Sequence, residues 1–401
     1  MSRKLLIKEA AVATILITGI MVPLAILPLK SEFVKPIRQE LDDFDIYDLF
    51  YTGKTNAHPG IKDSNIFLVQ AGDERSKIAD QINKIKSLQP AVIGIDLSFE
   101  NDKEPLGDIM LKTAILGDSN IVPGYSLDRG LDNKATIKED FLPKEYLYKQ
   151  GGYMNFPYHD NFSVLRNFIP FFSERDTEYL AFTVRVAEKF IPGITRKLKE
   201  RHNQSETINY YGNIEYYLNY TADEFDKYFR NNQLGFFKRK IILLGYFSGS
   251  ADSSKGRIED MFFSPMNQRP SGKSYPDIYG VVIHANILSM VIKQHDYIKV
   301  FPIWASFLFA VITSFLVNLM VLYLYKRFHH PYHVWFFFME ILAVICLVYF
   351  FIKIYDWFNV KVALLPMLLA IVLTAELFDL YKMAAKYLNR RYYYQTMFSG
   401  R

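Results

Sequence analysis

The stretch NIFLVQAGDERSKIADQINKIKSLQPAVIGIDLSF, residues 65–99, decides the fold of the polar part of this chain. Its two ends, NIFLVQAGD (65–73) and PAVIGIDLSF (90–99), are short apolar runs with β-branched residues, which predict buried strands. Between them, about Glu74 to Leu88, the pattern is that of a helix with one polar face. Strand, helix and strand at this spacing predict a right-handed βαβ crossover, and therefore a parallel sheet.

The same alternation continues along the chain and predicts an α/β domain with a mainly parallel sheet. Further strands are predicted at NIVPGYSL (120–127) and RKIILLGYF (239–247), and further helices at LGDIMLKTAIL (106–116) and TEYLAFTVRVAEKFI (177–191). The rest of the segment 128–235 is rich in Tyr, Asn, Lys and Glu and is less regular.

Long apolar runs flank this domain. A membrane-spanning helix needs about 20 mainly apolar residues, and four runs satisfy that rule: Ala10–Leu29, Phe301–Tyr325, His333–Ile352 and Val360–Leu380. The first run has a longer apolar core than a signal peptide and no clear cleavage site, so we expect an uncleaved anchor. The predicted layout is a first helix in residues 1–30, a domain at 31–300, three helices at 301–381 and a basic tail at 382–401.

Charge placement predicts the orientation of these helices. Basic clusters precede the first run, separate the second from the third, and follow the fourth: Arg3, Lys4 and Lys8; Lys326 and Arg327; Lys382, Lys386, Arg390 and Arg391. The positive-inside rule places all three clusters, and both termini, in the cytoplasm and the domain 31–300 outside it. Because the basic residues concentrate at membrane flanks, they argue against a nucleic-acid partner. The one cysteine, Cys346, lies in the third run, so the outer domain has no disulfide.

The stretch YGVVIHANILSMVI (279–292) is too short to span a membrane and predicts a buried helix. Helical spacing places Asn286, Ser289 and Lys293 on one face and His284 nearly opposite, pointing into the domain. A buried imidazole needs a hydrogen-bond partner. Three roles stay open for His284: a core residue that ties helix to loop, a ligand or metal contact, and a catalytic group.

Several polar residues follow the predicted strands, and in a parallel sheet ligands bind beyond the carboxyl ends of the strands. This rule brings together Asp73, Asp96, Tyr125, Ser248, Ser250 and Asp252. Such oxygens could hold a hard cation, or they could cap helices and order loops. We assign no metal and no cofactor, since His284 and His295 lack the spacing of a zinc site.

These stretches resemble the CHASE domain of the second type, an extracytoplasmic sensing module of bacterial adenylate cyclases, histidine kinases and serine/threonine kinases. The similar segments are IFLVQAGDERS, PAVIGIDLSFE, KIILLGYFSGSADSS and EDMFFSPMNQRPSGKSYPDIYGVVIHANILSMVI. They carry the family's pattern at Asp73, Glu74, Ser76, Asp96, Asp252, Asp260, Ser264, Pro265, Gly280, His284 and Ala285. The family also has one anchor before the module and three helices after it. Only about 20 residues follow Leu380, so we expect the sensing layout without a cyclase or kinase.

The resemblance implies a multi-pass protein of the bacterial inner membrane with its sensing domain in the periplasm. We expect a non-catalytic sensor or scaffold subunit that works with membrane lipid and with other envelope or signalling proteins; a homo-oligomer stays open. The expected ligand-binding residues are Asp73, Asp96, Ser248, Ser250, Asp252, Asp260 and His284.

Two alternative functions remain, one as an enzyme and one as a transporter subunit. A periplasmic hydrolase could use Ser248 or Ser250 with His284 and Asp260, although the G-x-S-x-G motif is absent. A transporter subunit could use Glu340. Glu340 and Asn318 are the polar residues that lie deepest in their apolar runs. The simpler interpretation is that Asn318 and Glu340 help to pack the helices together through an interhelical hydrogen bond, for example to Thr374. The tail YLNRRYYYQTMF could dock another protein or lie on anionic lipid.

Overall fold

A computed structural model describes residues 3–26, 45–55, 63–99, 104–129, 135–138, 140–157, 163–174, 177–247, 260–268, 275–328 and 332–398. The chain divides into two compact units. The sheet unit comprises Asp43–Ile298, and the helical unit comprises Met1–Asp42 with Lys299–Arg401.

The strands, in chain order, are β1 (Asp63–Gln70), β2 (Val92–Asp96), β3 (Ile121–Tyr125), β4 (Leu127–Arg129), β5 (Ala135–Ile137), β6 (Gly152–Tyr153), β7 (Asn167–Phe168), β8 (Phe171–Glu174), β9 (Thr177–Leu180), β10 (Glu206–Thr207), β11 (Tyr217–Tyr220), β12 (Ile241–Gly245), β13 (Met261–Phe262), β14 (Ile278–Tyr279), β15 (Lys299–Val300) and β16 (Val360–Lys361). The α-helices are α1 (Arg3–Ile26), α2 (Asp48–Thr55), α3 (Arg75–Ser87), α4 (Pro105–Ile115), α5 (Lys144–Gln150), α6 (Phe182–Phe190), α7 (Ile194–Lys199), α8 (Ala222–Arg230), α9 (Gly280–Lys293), α10 (Ile303–Phe328), α11 (Tyr332–Phe358) and α12 (Leu365–Tyr392).

The core of the sheet unit is a six-stranded sheet in the order β11-β1-β12-β2-β3-β6. Every neighbouring pair in it is parallel, which confirms the predicted α/β class with a parallel sheet. The four strands predicted from the sequence are β1, β2, β3 and β12. Their apolar residues are almost all fully buried, as expected for strands covered on both faces.

The late strand β12 lies between β1 and β2, so the βαβ crossover predicted for residues 65–99 passes over an inserted strand. Register is in phase across the three: Gln70 pairs with Gly245, and Gly245 with Asp96. The carboxyl ends of three central strands therefore meet side by side at one edge.

The helix predicted at 177–191 begins later than expected. Thr177–Leu180 forms β9, which pairs antiparallel with β8, and the helix α6 starts at Phe182. At Gly152 of the edge strand β6, an added Cβ would lie 2.5 Å from the Phe182 Cα. The start of α6 therefore packs directly on the sheet, and its position depends on this close approach rather than on periodicity.

Helix α9 is buried on all sides, not only on the face of His284. Asn286 accepts a hydrogen bond from the Tyr211 amide at 2.7 Å and donates to the Gly212 carbonyl at 3.0 Å. Ser289 donates to Asp63 at 2.7 Å. The polar face that helical spacing predicts is thus a set of satisfied contacts to neighbouring segments.

The helical unit contains α1, α10, α11 and α12. Two of its helices are long and apolar enough to cross a membrane, Ile303–Phe328 and Val334–Phe358. Within the described residues, α1 and α12 do not meet the same criterion. The predicted fourth run also starts too early: Val360–Lys361 pairs with Lys299–Val300, and the helix begins at Leu365.

Polar residues join three of these helices near the middle of their lengths. Asn318 is 1% exposed and donates to the Thr14 hydroxyl at 3.3 Å and to the Ser314 carbonyl at 2.9 Å. The Ser314 hydroxyl lies 3.5 Å from that of Thr374, so the predicted contact between Asn318 and Thr374 runs through Ser314. Glu340, by contrast, has no hydrogen bond or ion pair within the described residues.

The segment predicted to be a basic tail is helical through Tyr392 and then folds back onto the helical unit. Tyr393 turns the chain with a left-handed backbone, φ 52°. The Thr396 hydroxyl donates to Glu9 at 3.1 Å, and Phe398 is buried against Tyr381.

Candidate ligand-binding site at the carboxyl edge of the sheet

Asp96, the last residue of β2, faces the imidazole of His284 on α9. Asp96 Oδ1 and His284 Nε2 are 3.5 Å apart, and the two side chains are 13% and 5% exposed. An ordinary N–H···O hydrogen bond has a donor–acceptor distance of roughly 2.7–3.2 Å, so this is a contact that leaves hydrogen-bonding capacity unused. The prediction that His284 points into the domain is confirmed by its burial.

Gly245 allows α9 to approach the sheet closely enough for this contact. An added Cβ at Gly245 would lie 2.8 Å from Val281 Cγ2, which no real side chain tolerates. An added Cβ at Gly280 would lie 4.0 Å from Asp96 Oδ2, so the first turn of α9 is beside the carboxyl group. The amino-terminal end of a helix carries partial positive charge and favours an acceptor at this place.

Aromatic rings enclose the imidazole and exclude water from it. Phe156 stacks on the His284 ring with centroids 4.7 Å apart, and Phe182 meets it edge-on at 5.1 Å. Burial lowers the pKa of His284 to about 3, so the imidazole is neutral at physiological pH. Its Nδ1 atom is buried and has no hydrogen-bond partner among the described residues.

The carboxyl group of Asp96 titrates near neutral pH. Burial raises its pKa to about 7, and the negative charge of Asp260 adds to the shift. No hydrogen bond to this carboxyl group is formed by the described residues. At neutral pH Asp96 can therefore act as a donor or as an acceptor toward a polar group placed at the edge of the sheet.

The segment leading into α9 is held by Asp277. Its carboxylate accepts hydrogen bonds from the Ser264 amide at 2.8 Å and from the Ser264 hydroxyl at 2.5 Å. The Asn213 side chain donates to the Asp277 carbonyl at 2.7 Å. These contacts hold the segments around Ser264 and Asn213 against Asp277, just before α9 begins.

The predicted site residues separate into three groups. Asp96 and His284 lie together, whereas Asp73 is exposed in the turn after β1 and Asp260 is exposed just before β13. Ser248, Ser250 and Asp252 lie outside the described residues. The hydrolase alternative took Asp260 as the carboxylate of a triad; the structure brings Asp96 to His284 instead.

Sequence reasoning missed the two aromatic rings and Asp277. Phe156 belongs to the irregular segment 128–235, where no periodicity indicates which face is buried. Phe182 lies inside a stretch whose helical pattern was recognised, but its contact depends on the sheet order. Asp277 directly precedes β14, and its position between Pro276 and an apolar pair is the only local signal.

Comparison with known proteins agrees with this architecture. No curated protein and no solved structure matches the chain. The family model of the CHASE2 domain, however, matches residues 40–320, which is more than half of the chain and includes the sheet strands, Asp96, His284 and the first part of α10. The chain therefore belongs to the CHASE2 family, and its domain is an extracytoplasmic sensing domain.

Proposed function

We propose that this protein is a non-catalytic sensor or scaffold subunit whose CHASE2 domain binds a small polar ligand at Asp96 and His284. The observation that carries the proposal is the hydrogen-bonding capacity that the described residues leave unused on two adjacent buried groups at the edge of a parallel sheet. Buried polar groups are nearly always paired, so a pair like this favours an incoming partner. The edge formed by the carboxyl ends of the strands is also where open α/β sheets bind ligands.

The chemistry of the pair favours a ligand with both a donor and an acceptor. The neutral His284 offers one donor and one acceptor nitrogen, and Asp96 can change its role because its pKa is about 7. The rings of Phe156, stacked on His284, and Phe182, edge-on to it, favour a flat or apolar portion of the ligand beside its polar group.

Chain connectivity supports coupling to the membrane. His284 lies in α9, and only residues 294–302 separate α9 from the candidate span α10. A shift of α9 on ligand binding would act on a short connection, which is how a sensing domain can bias helices that follow it.

We further propose four membrane spans, with both termini in the cytoplasm of a bacterium and the CHASE2 domain in the periplasm. The location outside the cytoplasm and two candidate spans agree with this layout. Support for α1 and α12 as spans comes from their contacts with the middle of the apolar helix α10, where Asn318 contacts Thr14 of α1 and Ser314 contacts Thr374 of α12. The expected partners are envelope or signalling proteins, in keeping with a subunit of a larger assembly.

The ligand proposal is tested by thermal melting of the full chain in mild detergent against a library of small polar metabolites. A ligand that raises the melting temperature of the wild type should fail to do so with Asp96→Asn. Asp128→Asn makes the same chemical change at an exposed position and should respond as the wild type does. Equal shifts in all three proteins would reject the site, and labelling by a serine-directed hydrolase probe would reject the non-catalytic role.

The assembly proposal is tested separately by native co-purification in mild detergent. A companion protein in stoichiometric amount is the expected result. A chain that purifies alone from its native membrane, with its bound small molecule, would favour an isolated receptor instead.

A further inference from the structure

A groove runs between α10, α11 and α12 in the helical unit. Its volume is about 630 Å³, and its lining side chains include Leu316, Cys346, Phe350, Lys353, Trp357 and Ile371. Except near Lys353, the lining is almost wholly apolar. Concave sites of this size commonly hold one small molecule or one chain of a larger one.

The groove arises because α11 packs loosely. Only 11% of its most apolar window is buried, compared with 39% for α10. The helices α1, α10 and α12 supply most of a common apolar core, to which Val317 and Ile371 belong, and α11 adds Phe336 near its start. The small lining residues Ala343 and Cys346 leave space where α11 meets this core.

The length of the groove matches one leaflet of a bilayer rather than the whole membrane. Its lining extends along α11 from Ala343 to Trp357, which at 1.5 Å per residue is about 21 Å. Half of a hydrocarbon core is roughly 15 Å thick, and the headgroup layer adds several ångströms. A partner helix would need a groove along the full core of about 30 Å, so an acyl chain from one leaflet fits better.

The chemistry changes at one end of the groove, where α11 reaches the level of the chain reversal at 359–364. Trp357 is 70% exposed there, and its indole is an amphipathic ring typical of the headgroup layer. The Lys353 ammonium lies one helical turn before Trp357 and, among the described residues, forms an exposed ion pair of 3.5 Å with Asp356. Such a pair contributes little, so the ammonium is available to a phosphate.

From these features we infer that the groove is a binding site for one glycerophospholipid, with an acyl chain along Cys346 and Phe350 and the headgroup phosphate at Lys353. Because α10 follows the extracytoplasmic domain directly and α11 returns, the Lys353 end lies in the outer leaflet. The bound lipid fills the gap beside α11 and so holds that helix against α10 and α12.

The test uses the full chain extracted in mild detergent and native mass spectrometry to count retained phospholipids. Wild-type protein should retain one phospholipid per chain. Cys346→Trp fills the groove and should reduce retention at least tenfold. Lys353→Met keeps the length of the side chain without its charge and should weaken retention severalfold.

Ile345→Trp is the matched control, because Ile345 is 58% exposed, neighbours Cys346 and does not line the groove. It should retain lipid as the wild type does. Equal retention in the Cys346→Trp and wild-type proteins would overturn the inference, as would a wild type that retains none. If Cys346→Trp instead converts an oligomer to a monomer without changing bound lipid, a second copy of the chain occupies the groove and the lipid site is rejected.

Discussion

The Asp96–His284 pair should leave the free energy of unfolding independent of pH between about 4 and 6.5. Replacing either residue should make that free energy depend on pH. In the unfolded chain the ordinary pKa values are 3.8 for the carboxyl group and 6.5 for the imidazole, so the proton is on the histidine. In the folded chain burial raises the pKa of Asp96 to about 7 and lowers that of His284 to about 3, so the proton is on the carboxyl group. Over this pH range the pair therefore binds one proton in the folded chain and one in the unfolded chain, so its contribution to stability does not change with pH.

Asp96→Asn leaves the histidine alone. Because the folded pKa of His284 is depressed, its contribution to stability is complete above pH 6.5 and is lost as the pH falls toward 3. His284→Gln leaves the raised carboxyl group, whose contribution is complete below pH 3.8 and is lost as the pH rises through 7. Each slope is about 1.36 kcal/mol per pH unit.

Between pH 6.5 and 4.5 the free energy of unfolding should therefore fall by about 2 kcal/mol in Asp96→Asn and rise by about 2 kcal/mol in His284→Gln. For a unit of this size the melting temperature should move by roughly 4–8 °C in opposite directions. Circular dichroism of the full chain in detergent, at pH 4.5, 5.5 and 6.5, measures both shifts. Comparison with wild type at each pH cancels the titration of other groups. Parallel curves for all three proteins, or slopes of the same sign, would refute the reasoning.

Three further changes test the packing. Gly245→Ala places a Cβ 2.8 Å from Val281 Cγ2 and should destabilise the sheet unit by about 1–3 kcal/mol in the same melting assay; an unchanged melt would reject the close approach. Arg75→Met should lower the free energy of unfolding because it removes the guanidinium paired with the buried Asp108 carboxylate, and adding Asp108→Leu should restore most of the loss in chemical unfolding; a double variant no more stable than Arg75→Met would contradict this. Asn318→Leu should weaken helix association by about 0.6–1.7 kcal/mol, measured by unfolding in sodium dodecyl sulfate; no change would mean that the polar contacts are not needed for packing.

Four of the six strands of the sheet could be predicted because each of these buried strands reads as a continuous apolar run, whereas the edge strands β6 and β11 lie in the irregular segment 128–235 and were missed. Ile66–Val69 and Ile241–Leu244 are fully buried on both faces, which is the pattern that their composition indicates. The order of the strands could not be predicted. The insertion of β12 between β1 and β2 is a long-range pairing, and local patterns carry no information about the partner of a strand.

The site was predictable in part for the same reason. Asp96 was identified because it ends a recognisable strand, and His284 because helical spacing directs it inward. Phe156 was not, since its ring reaches the imidazole from an irregular segment whose path depends on the whole fold. The exit of β12 at Ser248, Ser250 and Asp252 lies outside the described residues, so its part in the site stays a prediction.

The first strand of the sheet has both of its neighbours, β11 and β12, at the far end of the domain. At synthesis rates of about 5–20 residues per second, β1 precedes β12 by roughly 10–35 seconds. During that interval its apolar edges have no native partner, and long-range pairings of this kind fold slowly. The apolar edges of β1 therefore stay without their native partners until residue 245 has been synthesised, and the sheet cannot close before that point.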